Sequence, residues 1–180
     1  MTQILKIIIS SVILIIFTSL SEAKQAKDSL FCKIIKVDDN DILPVFKWKI
    51  NGFTYSSEDF KGKVIFLNFW ATWCQPCINE MPELSNLNNE LKDSGFIMIG
   101  INVFPKTKTL NLTDFVLENS VSYSILEGND DIINTFSRTY GEEINVIPTI
   151  FIINKKGEIA KRIIEARKKE VYRTIIIKYL

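Results

Sequence analysis

The chain has 180 residues, 47% of them apolar and 24% charged, with a net charge of +1. That length holds one domain with a proper core, and the near-neutral balance gives no electrostatic case for binding nucleic acid. Histidine is absent, which excludes His-based acid–base catalysis, Ser–His and Cys–His nucleophile pairs and every His-ligated metal site.

Residues 7–20, "IIISSVILIIFTSL", form an apolar run behind Lys6 and ahead of the small residues Ser21 and Ala23. The run is shorter than the roughly 20 residues of a membrane span and has the layout of a signal peptide cut after Ala23. A retained anchor is the alternative reading of residues 1–23, because Ile4 and Leu5 extend the run around Lys6. A lipid anchor on Cys32 is disfavoured by the bulk of Phe31 before it. Either way the remainder is exported, to a compartment where disulfides persist.

Residues 24–44 read as a polar leader with one short apolar stretch, and residues 45–180 as the domain. "VFKWKINGFTYS" places an Asn51-Gly52 turn between two alternating segments, which predicts a β-hairpin. "KVIFLNFW" is almost continuously apolar and predicts a central strand buried on both faces. From Gln75 onward Ile78, Met81, Leu84, Leu87 and Leu91 recur at helical spacing. "GFIMIGINVF" is a second central strand, "TLNLTDFVLENS" a short helix and "SYSILEG" a short strand. "NDDIINTFSRTYG" has a capping Asn129, an acidic first turn and a terminating Gly141. "PTIFIINKKGEIAKRII" is a strand, a turn and a second strand, and "ARKKEVYRTIIIKYL" an amphipathic helix. The alternation predicts a three-layer α/β domain around a mixed sheet.

The chemistry sits in "NFWATWCQPCINEMP", where Cys74 and Cys77 follow the first central strand. Cys74 falls at the start of the helix, where free N–H groups and the positive end of the dipole favour a thiolate. Cys77 lies one turn on, within reach of a disulfide, and Pro76 occupies the first turn, where its missing N–H costs nothing. An exposed, easily ionised thiol followed by a resolving thiol suits thiol–disulfide exchange. A zinc half-site would need two further ligands when only Cys32 remains, with carboxylates as substitutes. Haem attachment would need histidine where Ile78 stands. A structural staple across two residues would constrain the unfolded chain little. No cofactor and no metal are expected.

"FWATWC-x-P-C" and the following "EMP" resemble the active-site segment of the exported TlpA/ResA/DsbE-like thioredoxins. The resemblance runs from the hairpin near Val45 to the C-terminal helix. It implies a thioredoxin fold, three-layer α/β/α with a central mixed sheet and an N-terminal β-hairpin. The extra helix–strand insertion of that branch would fall in "TLNLTDFVLENSVSYSILEG". It also implies a periplasmic or membrane-associated protein that reduces protein disulfides, often on cytochrome c maturation substrates. Re-reduction would come from an integral membrane thiol donor.

Thioredoxins usually carry a buried Asp on the strand before "FWA", but this chain has Asn68, which takes no proton near neutral pH. Glu80 is the expected replacement. It projects within the arc that holds Leu84, Leu87, Leu91 and Cys77, where desolvation would raise its pKa; a carboxylate swung out to solvent is an equal reading of the residues alone, and the resemblance favours the inward one. Ile147-Pro148 is expected to be trans from base rates alone. The resemblance reverses that: it implies a cis bond that sets the preceding backbone opposite Cys74, where an extended substrate segment pairs with it. Trp70 is expected in the core. Trp73, beside the thiol, is equally compatible with burial and with an apolar docking rim. Cys32 matches nothing in the motif and is expected to be unpaired or intermolecularly bonded.

The expected function is therefore an extracytoplasmic protein-disulfide reductase acting through Cys74, Cys77 and Glu80, with Trp73, Ile147 and Pro148 at the substrate. A disulfide oxidase or isomerase, and a non-catalytic copper-site assembly factor, are the alternatives.

Overall fold

The computed structural model describes residues 33–36, 42–50, 53–105 and 111–180. Residues 1–32, which hold the signal or anchor segment and Cys32, and the Asn51-Gly52 turn lie outside the described residues.

All seven side chains of Val64–Trp70 are buried, as a continuous apolar strand in mid-sheet requires. In chain order the elements are β1 (Lys33–Lys36), β2 (Val45–Ile50), β3 (Phe53–Ser56), a 3-10 turn (Ser57–Phe60) and β4 (Val64–Trp70). There follow α1 (Gln75–Leu91), β5 (Phe96–Asn102), α2 (Leu112–Glu118), β6 (Ser124–Glu127) and α3 (Asp130–Tyr140). The chain closes with β7 (Thr149–Ile153), β8 (Ile159–Ile164) and α4 (Lys169–Ile177). A five-stranded sheet has the order β6-β5-β4-β7-β8, with β4 parallel to β5 and antiparallel to β7. The α2–β6 unit sits in the segment expected to hold the insertion, and β6 extends the sheet alongside β5.

The N-terminal hairpin forms, with Ile50 opposite Phe53, and is one strand richer than expected. β1, taken from the leader, pairs antiparallel with β2, and Ile42 bridges to Glu158. The leader's charge disguised it: in "KIIK" two lysines flank only two apolar residues, too short a pattern to read as a strand.

Period-two alternation divides β4 between two cores. Val64, Phe66 and Trp70 face α1 and α4, in a cluster that includes Cys74, Cys77, Met81, Leu84, Tyr172 and Ile176. Ile65, Leu67 and Phe69 face α3 and the small sheet, packing with Phe46, Trp48, Phe136 and Phe151. That second core is aromatic. Phe69 meets Phe136 at 5.1 Å and Phe151 at 5.8 Å, both edge-on, and each such pair contributes about 0.5–1.5 kcal/mol beyond its buried area. The helix caps follow the sequence: Asn129 accepts the Ile132 N–H at 3.0 Å, and Gly141 ends α3 at φ 75°. α1 runs unbroken through Pro82.

Candidate active site

β4 ends at Trp70, and the chain turns before α1 so that Cys74 becomes the helix N-cap. The Cys77 N–H donates to Cys74 Sγ at 3.3 Å, a backbone donor aimed at the first sulfur. The two cysteines form a disulfide with their Cα atoms 5.3 Å apart. Cys74, expected to be exposed, is instead nearly covered: joined in the disulfide and packed against the Ile147 carbonyl, it is 4% exposed, and Cys77 is fully covered.

Opposite the disulfide, the Ile147–Pro148 peptide is cis. The Ile147 carbonyl oxygen lies 3.8 Å from Cys74 Sγ. The loop leading to it is held from below. Arg162 of β8 donates through Nη1 to Glu142 Oε2 and through Nη2 to the Glu143 carbonyl, both at 2.7 Å. Its guanidinium lies over the rings of Tyr140 and Phe151, at 5.5 and 5.8 Å. Thr149 Oγ1 donates to the Val146 carbonyl at 2.7 Å. Trp73 is exposed on the rim, and its indole N–H donates to the Phe104 carbonyl at 2.7 Å. Phe104 itself takes a left-handed backbone at φ 52°.

Glu80 lies one turn beyond Cys77 and is buried, while its neighbours Asn79 and Glu83 are exposed. Its Oε2 accepts from the Tyr172 hydroxyl of α4 at 2.8 Å. Burial pushes the Glu80 carboxyl up to about 7; the Tyr172 hydroxyl and the Arg167 backbone N–H pull it back, and the charge of Glu83 adds a small upward push. Asn68 is buried on the same face of β4 as Phe66 and Trp70. Among the described residues neither end of its amide has a protein partner, nor do Trp70 Nε1, Glu80 Oε1 or the Tyr123 hydroxyl. Burial, with the nearby Glu80 charge, pushes the Tyr123 phenol up as well. Trp70 and Tyr123 belong to the same core cluster as Cys74 and Cys77.

The structure thus brings Cys74, Cys77, Glu80, Ile147 and Pro148 to one end of the sheet, with Trp73 on its rim. Three contributors were not anticipated from the sequence: Tyr172, Tyr123 and Arg162. The first had a signal, since "EVYRTIII" puts a hydroxyl on the apolar face of a helix, where it needs a partner.

The Redoxin family model matches residues 38–176. The thiol-disulfide oxidoreductase ResA of Bacillus cereus is 32% identical over 114 residues, 63% of this chain and 61% of that protein. ResA of Geobacillus kaustophilus is 32% identical over 123 residues, 67% of this chain and 66% of that protein. The matched segment is therefore a little under two thirds of these relatives' length. Among solved structures, a thioredoxin-family thiol:disulfide interchange protein from Chlorobium tepidum superposes with a TM-score of 0.69 at 27% identity, covering 81% of this chain and 99% of that one. A secreted thiol-disulfide isomerase from Corynebacterium glutamicum gives 0.62 at 26% identity, covering 71% and 77%. With its sheet order, its cysteine pair at the head of α1 and these likenesses, this chain belongs to the Redoxin family, among the ResA- and DsbE-like members of the thioredoxin superfamily.

Proposed function

We propose that this chain is an extracytoplasmic thiol–disulfide oxidoreductase that reduces disulfides of exported proteins, apocytochrome c among them. The observation that carries the reading is the Cys74–Cys77 disulfide at the head of α1, with a buried carboxyl one turn below it. The names of the ResA relatives support the chemistry. The apolar residues 7–20 support export, to the periplasm or the outer face of the inner membrane. No helix among the described residues is long and apolar enough to cross a membrane, so attachment would rest on that N-terminal segment.

In the reduced chain, the Cys74 thiolate is favoured by the Cys77 N–H and the helix N-terminus. It attacks one sulfur of a substrate disulfide; a Cys74–substrate disulfide forms, and the other substrate sulfur leaves as a thiolate that takes up a proton. Cys77 then passes its proton to the Glu80 carboxylate and attacks Cys74 Sγ. The mixed disulfide breaks, the second substrate sulfur leaves as a thiolate that takes up a proton from Glu80 or solvent, and the Cys74–Cys77 bond forms. Two electrons have moved from the chain to the substrate. A membrane dithiol donor returns them by the same exchange in reverse. A carboxyl near 7 is about half ionised at neutral pH, so Glu80 can take a proton and give it up again. Ile147 and Pro148 offer the extended backbone on which a substrate strand would pair, and Trp73 an apolar rim.

The opposite direction, disulfide oxidation or isomerisation, draws support from the likeness to the C. glutamicum isomerase. A reduction potential well below about −200 mV separates the reductase from that reading. The function is tested by expressing Cys77→Ser as the full chain in its own host. An exported protein held on Cys74 through a reducible bond is the expected product. No adduct, together with undiminished electron transfer in Cys74→Ser, overturns the proposal.

A further inference from the structure

We propose that Tyr172 is a positioning residue for the exchange reaction: its hydroxyl, fixed by the Arg167 backbone, orients the Glu80 carboxyl beneath Cys77. The inference rests on the role given to Glu80 above and extends it to the C-terminal helix.

The Arg167 N–H donates to the Tyr172 oxygen at 2.9 Å, and the Tyr172 hydroxyl donates to Glu80 Oε2 at 2.8 Å. A phenol has one proton. With its oxygen already accepting from Arg167, that proton is committed to Glu80. The ring cannot wander, because Tyr172 is fully buried and meets Phe66 edge-on at 5.2 Å. Glu80 Oε2 is thereby occupied, while Oε1 has no protein partner among the described residues. The carboxyl is left with one free oxygen to receive a proton.

α4 is docked on α1 at two further points of the same helix. The Lys169 N–H donates to Glu83 Oε2 at 3.0 Å, and Lys169 Nζ pairs with Glu90 Oε2 at 3.5 Å, where Arg173 also binds. Glu80, Glu83 and Glu90 therefore all take partners from α4. The two exposed contacts set the register that brings the buried hydroxyl onto Glu80.

Other ionisable or polar groups around Glu80 have different effects. Glu83, on its own helix, repels the charged form. Tyr123, before β6, is a neutral phenol whose own ionisation Glu80 opposes. Asn68, on the α1 face of β4, is neutral at every working pH. Tyr172 is the donor to the carboxylate, and the Arg167 N–H, bonded to the Tyr172 oxygen, also favours the charged form.

The test follows oxidation of the reduced full chain by oxidised glutathione across pH, in wild type, Tyr172→Phe, Glu80→Gln and the double variant. Phenylalanine keeps the ring against Phe66 and removes only the donor. Tyr172→Phe should move the Glu80-dependent inflection upward by about one pH unit, the size expected for losing one hydrogen bond to a charged group. In the double variant the inflection should be absent, as in Glu80→Gln alone. The infrared titration of the Glu80 carboxyl in the oxidised protein should move by the same amount. An inflection that disappears in Glu80→Gln but stays in place in Tyr172→Phe overturns the inference and leaves the function standing. A Glu80→Gln profile identical to wild type overturns the role of Glu80 and the inference with it. If Tyr172→Phe does not fold, fluorotyrosine placed at position 172, a stronger donor, should move the inflection downward; no movement overturns the proposal.

Discussion

Replacing Glu80 by glutamine should make the oxidised protein more stable, and only above mildly acidic pH. The unfolded chain releases this proton near 4.5, and the folded chain holds it until about 7. Below about 4.5 both states are neutral and burial adds no charge penalty. As pH rises from there through 7, the folded state retains a proton that the unfolded state has released, and stability falls. Above 7 both are ionised and the loss is complete. A shift of that size corresponds to about 3 kcal/mol, a large fraction of the 5–15 kcal/mol typical of a domain. Glu80→Gln keeps the shape and lacks the charge. Urea denaturation of both oxidised chains, measured at about pH 4.5 and about pH 8.5, gives the comparison. The variant should gain about 3 kcal/mol on wild type between the two conditions. A difference that stays constant across that range would mean Glu80 ionises as freely as a surface carboxylate, and its place in the proton-transfer step would fall with it.

Gly100→Ala should cost about 1–3 kcal/mol by overpacking, because an added Cβ would lie 2.5 Å from Ile125 Cδ1 and 3.0 Å from Trp70 Nε1; thermal melts check this. Arg162→Ala should lose about 2 kcal/mol of stability with its charge-assisted bonds and ring stacking. It should also raise KM for a protein disulfide more than it lowers kcat, since the loop before Ile147 loses its anchor. Ser120→Gly should stabilise by about 0.5–1 kcal/mol, because Ser120 is exposed at φ 51°, and relief of roughly 1–2 kcal/mol of left-handed strain outweighs the roughly 0.4–1 kcal/mol of extra chain entropy that glycine brings.

The large sheet could be read from the chain because its strands announce themselves by burial. "KVIFLNFW" and "GFIMIGINVF" are apolar on both faces, and only a central strand needs that. The helix ends could be read at Asn129 and Gly141 because capping is local chemistry. Helical phase set Glu80 on the apolar arc of α1, and the family resemblance, through "EMP", favoured the inward turn over one into solvent. The cis bond at Pro148 was accessible only through the family resemblance, since base rates point to trans. What escaped was pairing at long range. Tyr172 is 92 residues from Glu80, and nothing in either local pattern states that α4 will lie along α1. Arg162 reads as an ordinary charge on an alternating strand until Tyr140, Phe151 and Glu142 are brought around it. β1 escaped for the opposite reason, a local pattern too short to stand out from its charged flanks.

The unequal cover over the two sulfurs also governs how the protein would age in an oxidising compartment. Peroxides convert an accessible thiolate to sulfenic acid and then, irreversibly, to sulfinic acid. Cys77 has no surface open to such a reagent, whereas Cys74 has a small one. Any oxidation past the sulfenate should therefore fall on Cys74, and mass spectrometry of the reduced chain after excess peroxide should find its added oxygens there and none on Cys77. A second line of defence lies in proximity: Cys77, one turn away, can condense with a sulfenate on Cys74 before a further oxidant arrives, returning the site to its disulfide.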